Sequence, residues 1–122
     1  MNPTELVARY MAAWNQTDRD ARRQVLEASW ASDASYSDPT AQVTGRAAFV
    51  EHIGGFHQQV PGARFQVTSE VDSHHQYLRF EWKMVLADGN VFLHGSDFGE
   101  VTADGTALQR IVGFFGPAEP KS

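Results

Sequence analysis

The chain has no cysteine among its 122 residues. That excludes a disulfide framework and thiolate metal ligation, and it is compatible with a reducing compartment. No run of apolar residues approaches the roughly 20 needed to cross a bilayer as a helix. The opening MNPTELVARYMAAWN lacks a basic start, and Glu5 and Arg9 interrupt its apolar residues, so it does not read as a secretory signal. A cytoplasmic location is the expectation. Basic residues are also few. Ten Lys and Arg face fifteen Asp and Glu, for a net charge of −5, and the absence of a basic cluster argues against nucleic acid or an anionic membrane as partner. There is no Gly-rich phosphate loop, no Ser-His-Asp arrangement and no nucleotide fingerprint. The histidines make no metal signature. His52 and His57 are five apart, a poor spacing for one helical face, and the adjacent His74 and His75 point opposite ways if extended. Neither a metal nor a cofactor is expected.

What is present reads as one domain spanning 1–122, with its core at about 4–116. Asn2-Pro3-Thr4-Glu5 is a helix start, with a capping Asn, a Pro at the first position and a Glu that can reach back. Leu6, Val7, Tyr10, Met11 and Trp14 follow at helical spacing. A second helix is expected from about Asp18 to Ser29, with Ala21, Val25, Leu26 and the following Trp30 on its buried side. Asp33 to Asp38 alternates as a short strand with Ala34, Tyr36 and Asp38 on one face, and Pro39 ends it. Thr44-Gly45 opens a third helix with Phe49, Ile53, Phe56 and Val60 as its stripe. Gly54-Gly55 within it implies a close contact, a kink or an early stop, because each glycine costs about 1 kcal/mol against alanine. Four strand-like runs follow, at about 64–73, 77–86, 91–102 and 106–115. The pairs Asp88-Gly89 and Asp104-Gly105 are hairpin signals. Helices followed by an antiparallel meander mean an α+β fold. The tail from Gly116 to Ser122 reads as loose.

Chemistry concentrates in VFLHGSDFGEV, residues 91–101. As a strand it places Val91, Leu93, Gly95, Asp97, Gly99 and Val101 on one face. A carboxylate among apolar side chains must be paired, hydrogen-bonded or protonated. Asp97 is thus either a proton carrier working near neutrality or a neutral donor, unless backbone or Arg79 satisfies it. Gly95 and Gly99, lacking side chains, leave space beside it for a ligand. On a regular strand His94 faces the other way.

The segments ARYMAAWN (8–15), DASYSDP (33–39), TGRAAFVEHI (44–53), HGSDFGEV (94–101) and DGTALQRIVGFFG (104–116), in this order and spacing, resemble the nuclear-transport-factor-two-like superfamily. Within it the chain is most similar to the SnoaL-like polyketide cyclase and ketosteroid isomerase branches. The resemblance implies a cone-shaped α+β barrel, in which a strongly bent antiparallel sheet wraps three N-terminal helices around a deep apolar pocket. It also implies a homodimer formed through the outer face of the sheet, where Phe92 and Phe98 are candidates. Tyr10 matches the position of an oxyanion-binding tyrosine, Asp38 that of the general base, and Asp97 that of a protonated aspartic acid that donates a hydrogen bond. In the SnoaL-like cyclases the aspartate at the Asp97 position is the acid/base. Ser37 departs from the isomerase pattern, which has an acidic residue there. A third branch, the limonene epoxide hydrolases, is echoed by Arg79-Phe80-Glu81, with Glu for Asp. Gly113 stands near the remaining aspartate of that constellation, so this reading ranks below the others.

The resulting expectation is a cofactor-free enzyme of isomerase or cyclase type. It would abstract a proton next to a carbonyl of a small, largely apolar molecule, with Asp97, Asp38 and Tyr10 as catalytic candidates. Each has a plainer reading. Tyr10 can be core with its hydroxyl at a rim, and Asp38 can close a turn with Thr40. Arg79 with Glu81 can be an exposed charge row. Trp14, Phe49, Ile53, Phe56, Arg79 and Trp82 are the ligand-binding candidates. The alternative from another class is a non-catalytic module that binds a hydrophobic ligand or serves as a dimeric interaction domain.

Overall fold

The computed structural model describes residues 1–121, and its first helix starts where the sequence places it. In α1 (Pro3–Asn15) the Asn2 side chain accepts from the Glu5 N–H at 2.8 Å. Leu6, Val7, Tyr10, Met11, Ala13 and Trp14 form its buried side. Asp18 caps α2 (Arg19–Ser29) by accepting from the Ala21 N–H. The third helix, α3 (Arg46–Gln59), runs through Gly54-Gly55 without stopping.

The inner side of α2 departs from the simple apolar pattern. Leu26 is buried there, and so is Arg22, only 2% exposed. The Arg22 guanidinium donates to the carbonyls of Gln16 (3.0 Å), Val50 (2.9 Å) and Thr17 (3.3 Å). It thereby ties the α1–α2 connection to α3. A Cβ at Gly54 would lie 3.1 Å from its Nη1. Close contact is realised at Gly54, while Gly55 faces open space at the cavity.

Seven strands make one sheet: β1 (Trp30–Asp38), β2 (Ala41–Thr44), β3 (Arg64–Val67), β4 (Asp72–His74), β5 (Tyr77–Val85), β6 (Val91–Val101) and β7 (Leu108–Phe115). The order is β2-β1-β7-β6-β5-β3, with β4 also on β5. All pairings are antiparallel except β1 with β7. The expected α+β cone stands, and its sheet is curved, unclosed and mixed. Both Asp-Gly pairs lie between paired antiparallel strands, with Gly89 and Gly105 at positive φ, as such turns require.

Three details differ from expectation. The first strand begins at Trp30, directly off α2. Pro39-Thr40 is a turn into β2, which then pairs with β1. The run 64–73 is two short strands rather than one. The tail carries no regular structure from Pro117 to Lys121; the part of that expectation concerning Ser122 lies outside the described residues.

The core fills the space between the helices and the concave side of the sheet. Trp30 and Phe49 stack at 4.2 Å, and Tyr10 lies 6.3 Å from each of them. Among the described residues no helix is long and apolar enough to cross a membrane.

Candidate functional site

A cavity of about 450 Å³ opens between α1, α3 and the sheet. Strand alternation carries Asp97 to its wall. In β6 Gly95, Asp97 and Gly99 are buried while His94 and Phe98 are exposed. Asp97 is 5% exposed. Its Oδ1 accepts from the Trp82 indole Nε1 at 2.9 Å.

That bond explains Gly95. Trp82 and Gly95 are cross-strand partners, and a Cβ at residue 95 would sit 2.1 Å from the indole Cζ2. Gly95 therefore makes room for Trp82 and not for a ligand. Gly99 likewise lies against Leu78 and Ile111, both 3.0 Å from a Cβ placed there. The expectation that these two glycines flank a ligand is corrected. The glycine that shapes the cavity is Gly113. It pairs with Asp97, and its missing Cβ would lie 2.8 Å from Asp97 Oδ1 and 3.6 Å from Asp38 Cβ. Any side chain at 113 would separate the two carboxylates.

Burial pushes the Asp97 carboxyl up to about 7, since a charge is poorly solvated there. The Trp82 hydrogen bond and the nearby Tyr10 hydroxyl pull the other way, and the charge of Asp38 adds to the rise. Tyr10 is 1% exposed. Its hydroxyl is near enough to favour ionised Asp97, yet no partner meets it in hydrogen-bond geometry. Burial, and then the Asp97 charge, holds its pKa well above that of a free tyrosine, so it remains a neutral donor.

Asp38 is already occupied. Its Oδ2 accepts from the Tyr36 hydroxyl, and its Oδ1 accepts from the Thr40 N–H and hydroxyl, each at 2.7 Å. The Tyr36 pKa is raised, first by burial and next by this bond. The turn reading of Asp38 is therefore realised, in a residue that also lines the cavity.

Of the residues singled out from sequence, Tyr10, Asp38, Asp97, Trp14, Phe56 and Trp82 meet at the cavity. Three do not. Phe49 and Ile53 have no exposure and pack in the core, on the buried side of α3 with Val50. Arg79 lies on the exposed alternation of β5 and pairs with Asp72 at 2.8 Å, so it neither lines the cavity nor satisfies Asp97. Glu81 shares that outward face, which removes the Arg-x-acid pair of the epoxide-hydrolase reading from the cavity. Sequence reasoning missed Tyr36, His52, Phe65 and Phe115 on the wall. Tyr36 had a signal, since it alternates in phase with Asp38. Among the described residues no three His, Asp or Glu side chains cluster as metal ligands.

A family model described as a SnoaL-like domain matches residues 7–113. Among solved structures, a proposed isomerase of the SnoaL-like family from Agrobacterium tumefaciens superposes with a TM-score of 0.88 at 30% identity, over 93% of this chain and 96% of that one. A proposed ketosteroid isomerase from Kribbella flavida gives 0.69 at 24% identity, over 98% and 81%. A nuclear-transport-factor-two-like protein of unknown function from Exiguobacterium gives 0.73 at 17%, over 93% and 99%. No curated protein matches.

Proposed function

The chain belongs to the SnoaL-like domain family, and on that footing we propose that it is a cofactor-independent, single-domain enzyme of isomerase or cyclase type, acting by proton abstraction next to a carbonyl. The observation that supports this most is the pairing of a buried carboxyl raised to about 7 with an unpartnered buried hydroxyl in one cavity. A carboxyl with that pKa serves as base and then as acid near neutrality.

Ionised Asp97 takes the α-proton of the carbonyl substrate, and the C–H electron pair becomes the enolate π bond. The Tyr10 hydroxyl donates to the oxygen on which charge develops. The protonated Asp97 then returns its proton to a more distant carbon of the conjugated system, which moves the double bond. In the cyclising variant the enolate carbon instead attacks a second carbonyl and the proton goes to the new alkoxide. Asp38 already accepts three hydrogen bonds, from the Tyr36 hydroxyl and from the Thr40 N–H and hydroxyl, so the proton transfer is assigned to Asp97. The role of Asp38 is to hold Tyr36.

The outer face of the sheet supports a homodimer. Of the two residues expected there, Phe98 is exposed in edge-to-face contact with Phe114, ring centres 6.0 Å apart, whereas Phe92, though exposed, borders the cavity instead. Sedimentation showing only monomer at micromolar concentration would remove this part of the proposal.

The enzymatic part is tested with a small cyclic β,γ-unsaturated ketone, by following the absorbance of its conjugated isomer. Turnover is expected from the native protein, with a loss of about 10² to 10⁴ in Asp97→Asn. Native-like turnover in that variant would refute the mechanism. Saturable binding without turnover would favour a non-catalytic ligand-binding module.

A further inference from the structure

We infer that the cavity is built for a small organic cation, an alkylammonium group seated between aromatic faces and the two inward carboxylates. The inference rests on the reading of this cavity as the ligand site, and it names the chemical class that the site takes.

Charge is the first argument. The wall carries three carboxylates and neither Lys nor Arg. Glu51 at the rim is matched by Arg19, whose Nε lies 2.6 Å from it. Asp38 and Asp97 have no such match among the described residues. Every side chain that donates to them is neutral: the Trp82 indole and the hydroxyls of Tyr36 and Thr40. An anionic ligand such as a phosphate would face two carboxylates with no lysine or arginine, and only the imidazole of His52, to offset them. An ammonium group supplies the missing counter-charge.

The second argument is the shape of the aromatic wall. Tyr36, Trp14, Phe56, Phe65, Trp82 and Phe115 follow one another around the cavity. Successive ring centres lie 5.7, 5.7, 5.3, 5.6 and 6.1 Å apart. All five successive pairs are tilted or edge-on to each other, so the rings around the cavity do not share one plane. The negative faces of aromatic rings attract cations, and cages of this kind recognise quaternary ammonium groups. A purely apolar ligand would be served equally by Leu and Val, which the wall uses sparingly.

The third argument is independent of both. The Tyr10 hydroxyl is buried on this wall without a partner. A buried polar group in that state costs stability until something bonds to it. Its oxygen can accept from an ammonium N–H or donate to an oxygen elsewhere on the ligand.

The test compares choline with 3,3-dimethyl-1-butanol, its neutral isostere, by calorimetry and tryptophan fluorescence at about pH 8, where Asp97 is ionised. Choline is expected to bind at least about tenfold more tightly. The preference should disappear in Asp38→Asn/Asp97→Asn. It should shrink in Phe115→Leu, which keeps both carboxylates and the fold. Equal or tighter binding of the neutral alcohol, or no saturable binding of choline, overturns the inference. Turnover of the neutral ketone without any choline preference would overturn it while leaving the enzymatic reading standing. A choline preference without turnover would do the reverse.

Discussion

Replacing Asp97 by Asn should make the protein more stable, by an amount that grows with pH. In the native fold the carboxyl is buried, and its pKa moves from 3.8 to about 7. In the unfolded chain it is solvated and near 3.9. The folded state therefore binds this proton more tightly than the unfolded state does. Below about pH 4 the group is protonated in both states and imposes no penalty. As pH rises, the unfolded chain ionises first and is favoured. The penalty reaches its full value above about pH 7, where the folded carboxyl also ionises. At 1.36 kcal/mol per tenfold in acidity, the separation amounts to on the order of 4 kcal/mol. An asparagine keeps a carbonyl for the Trp82 N–H and carries no charge, so it escapes this term. The assay is urea unfolding of both proteins from about pH 4 to 9. The stability of Asp97→Asn minus that of the native protein should climb through this window and level off above about pH 8. Titrating groups that do not interact with Asp97 cancel in the difference. A difference that stays flat, or falls as pH rises, would show that Asp97 is not a buried acid with a raised pKa. The proton-transfer mechanism would fall with it. A group that destabilises its own fold is expected where function requires a charge in an apolar place.

Two further substitutions probe how the site is held. Gly113→Ala puts a Cβ 2.8 Å from Asp97 Oδ1, so the carboxyl must shift. Ketone turnover should drop at least about tenfold while urea stability falls by only about 1–3 kcal/mol, and unchanged turnover would show that the spacing of the two carboxylates is irrelevant. Arg22→Met leaves the Gln16, Thr17 and Val50 carbonyls without their donor. It should cost about 2–4 kcal/mol in thermal or urea unfolding, and a loss under about 0.5 kcal/mol would show that Arg22 is not what joins α2 to α3.

The three helices are written into neighbouring residues. Asn2 and Asp18 cap α1 and α2, and the periodicity of Leu6, Val7, Tyr10 and Trp14 selects the buried side. The Asp-Gly pairs set two hairpins, and the two-residue period of β6 is enough to turn Asp97 inward. These signals are local, since a cap, a turn or an alternation is decided within a few residues. Periodicity says which side of an element faces inward, but not whether the space it faces is packed or open. Phe49 and Ile53 fell in the packed part, while Phe65 and Phe115 reached the cavity. Arg22 carries no sign in the sequence that the Val50 carbonyl of α3 will join two nearby ones, of Gln16 and Thr17, in converging on it. The parallel pairing of β1 with β7 joins segments more than seventy residues apart, and no short-range pattern specifies it. That pairing sets Asp38 beside Gly113 and hence next to Asp97. The presence of an inward acid was thus determined by the sequence alone. Its company, a second carboxylate, an indole donor and an unpartnered tyrosine, was decided by the tertiary structure, because only the closing of the sheet brings distant strands to one cavity.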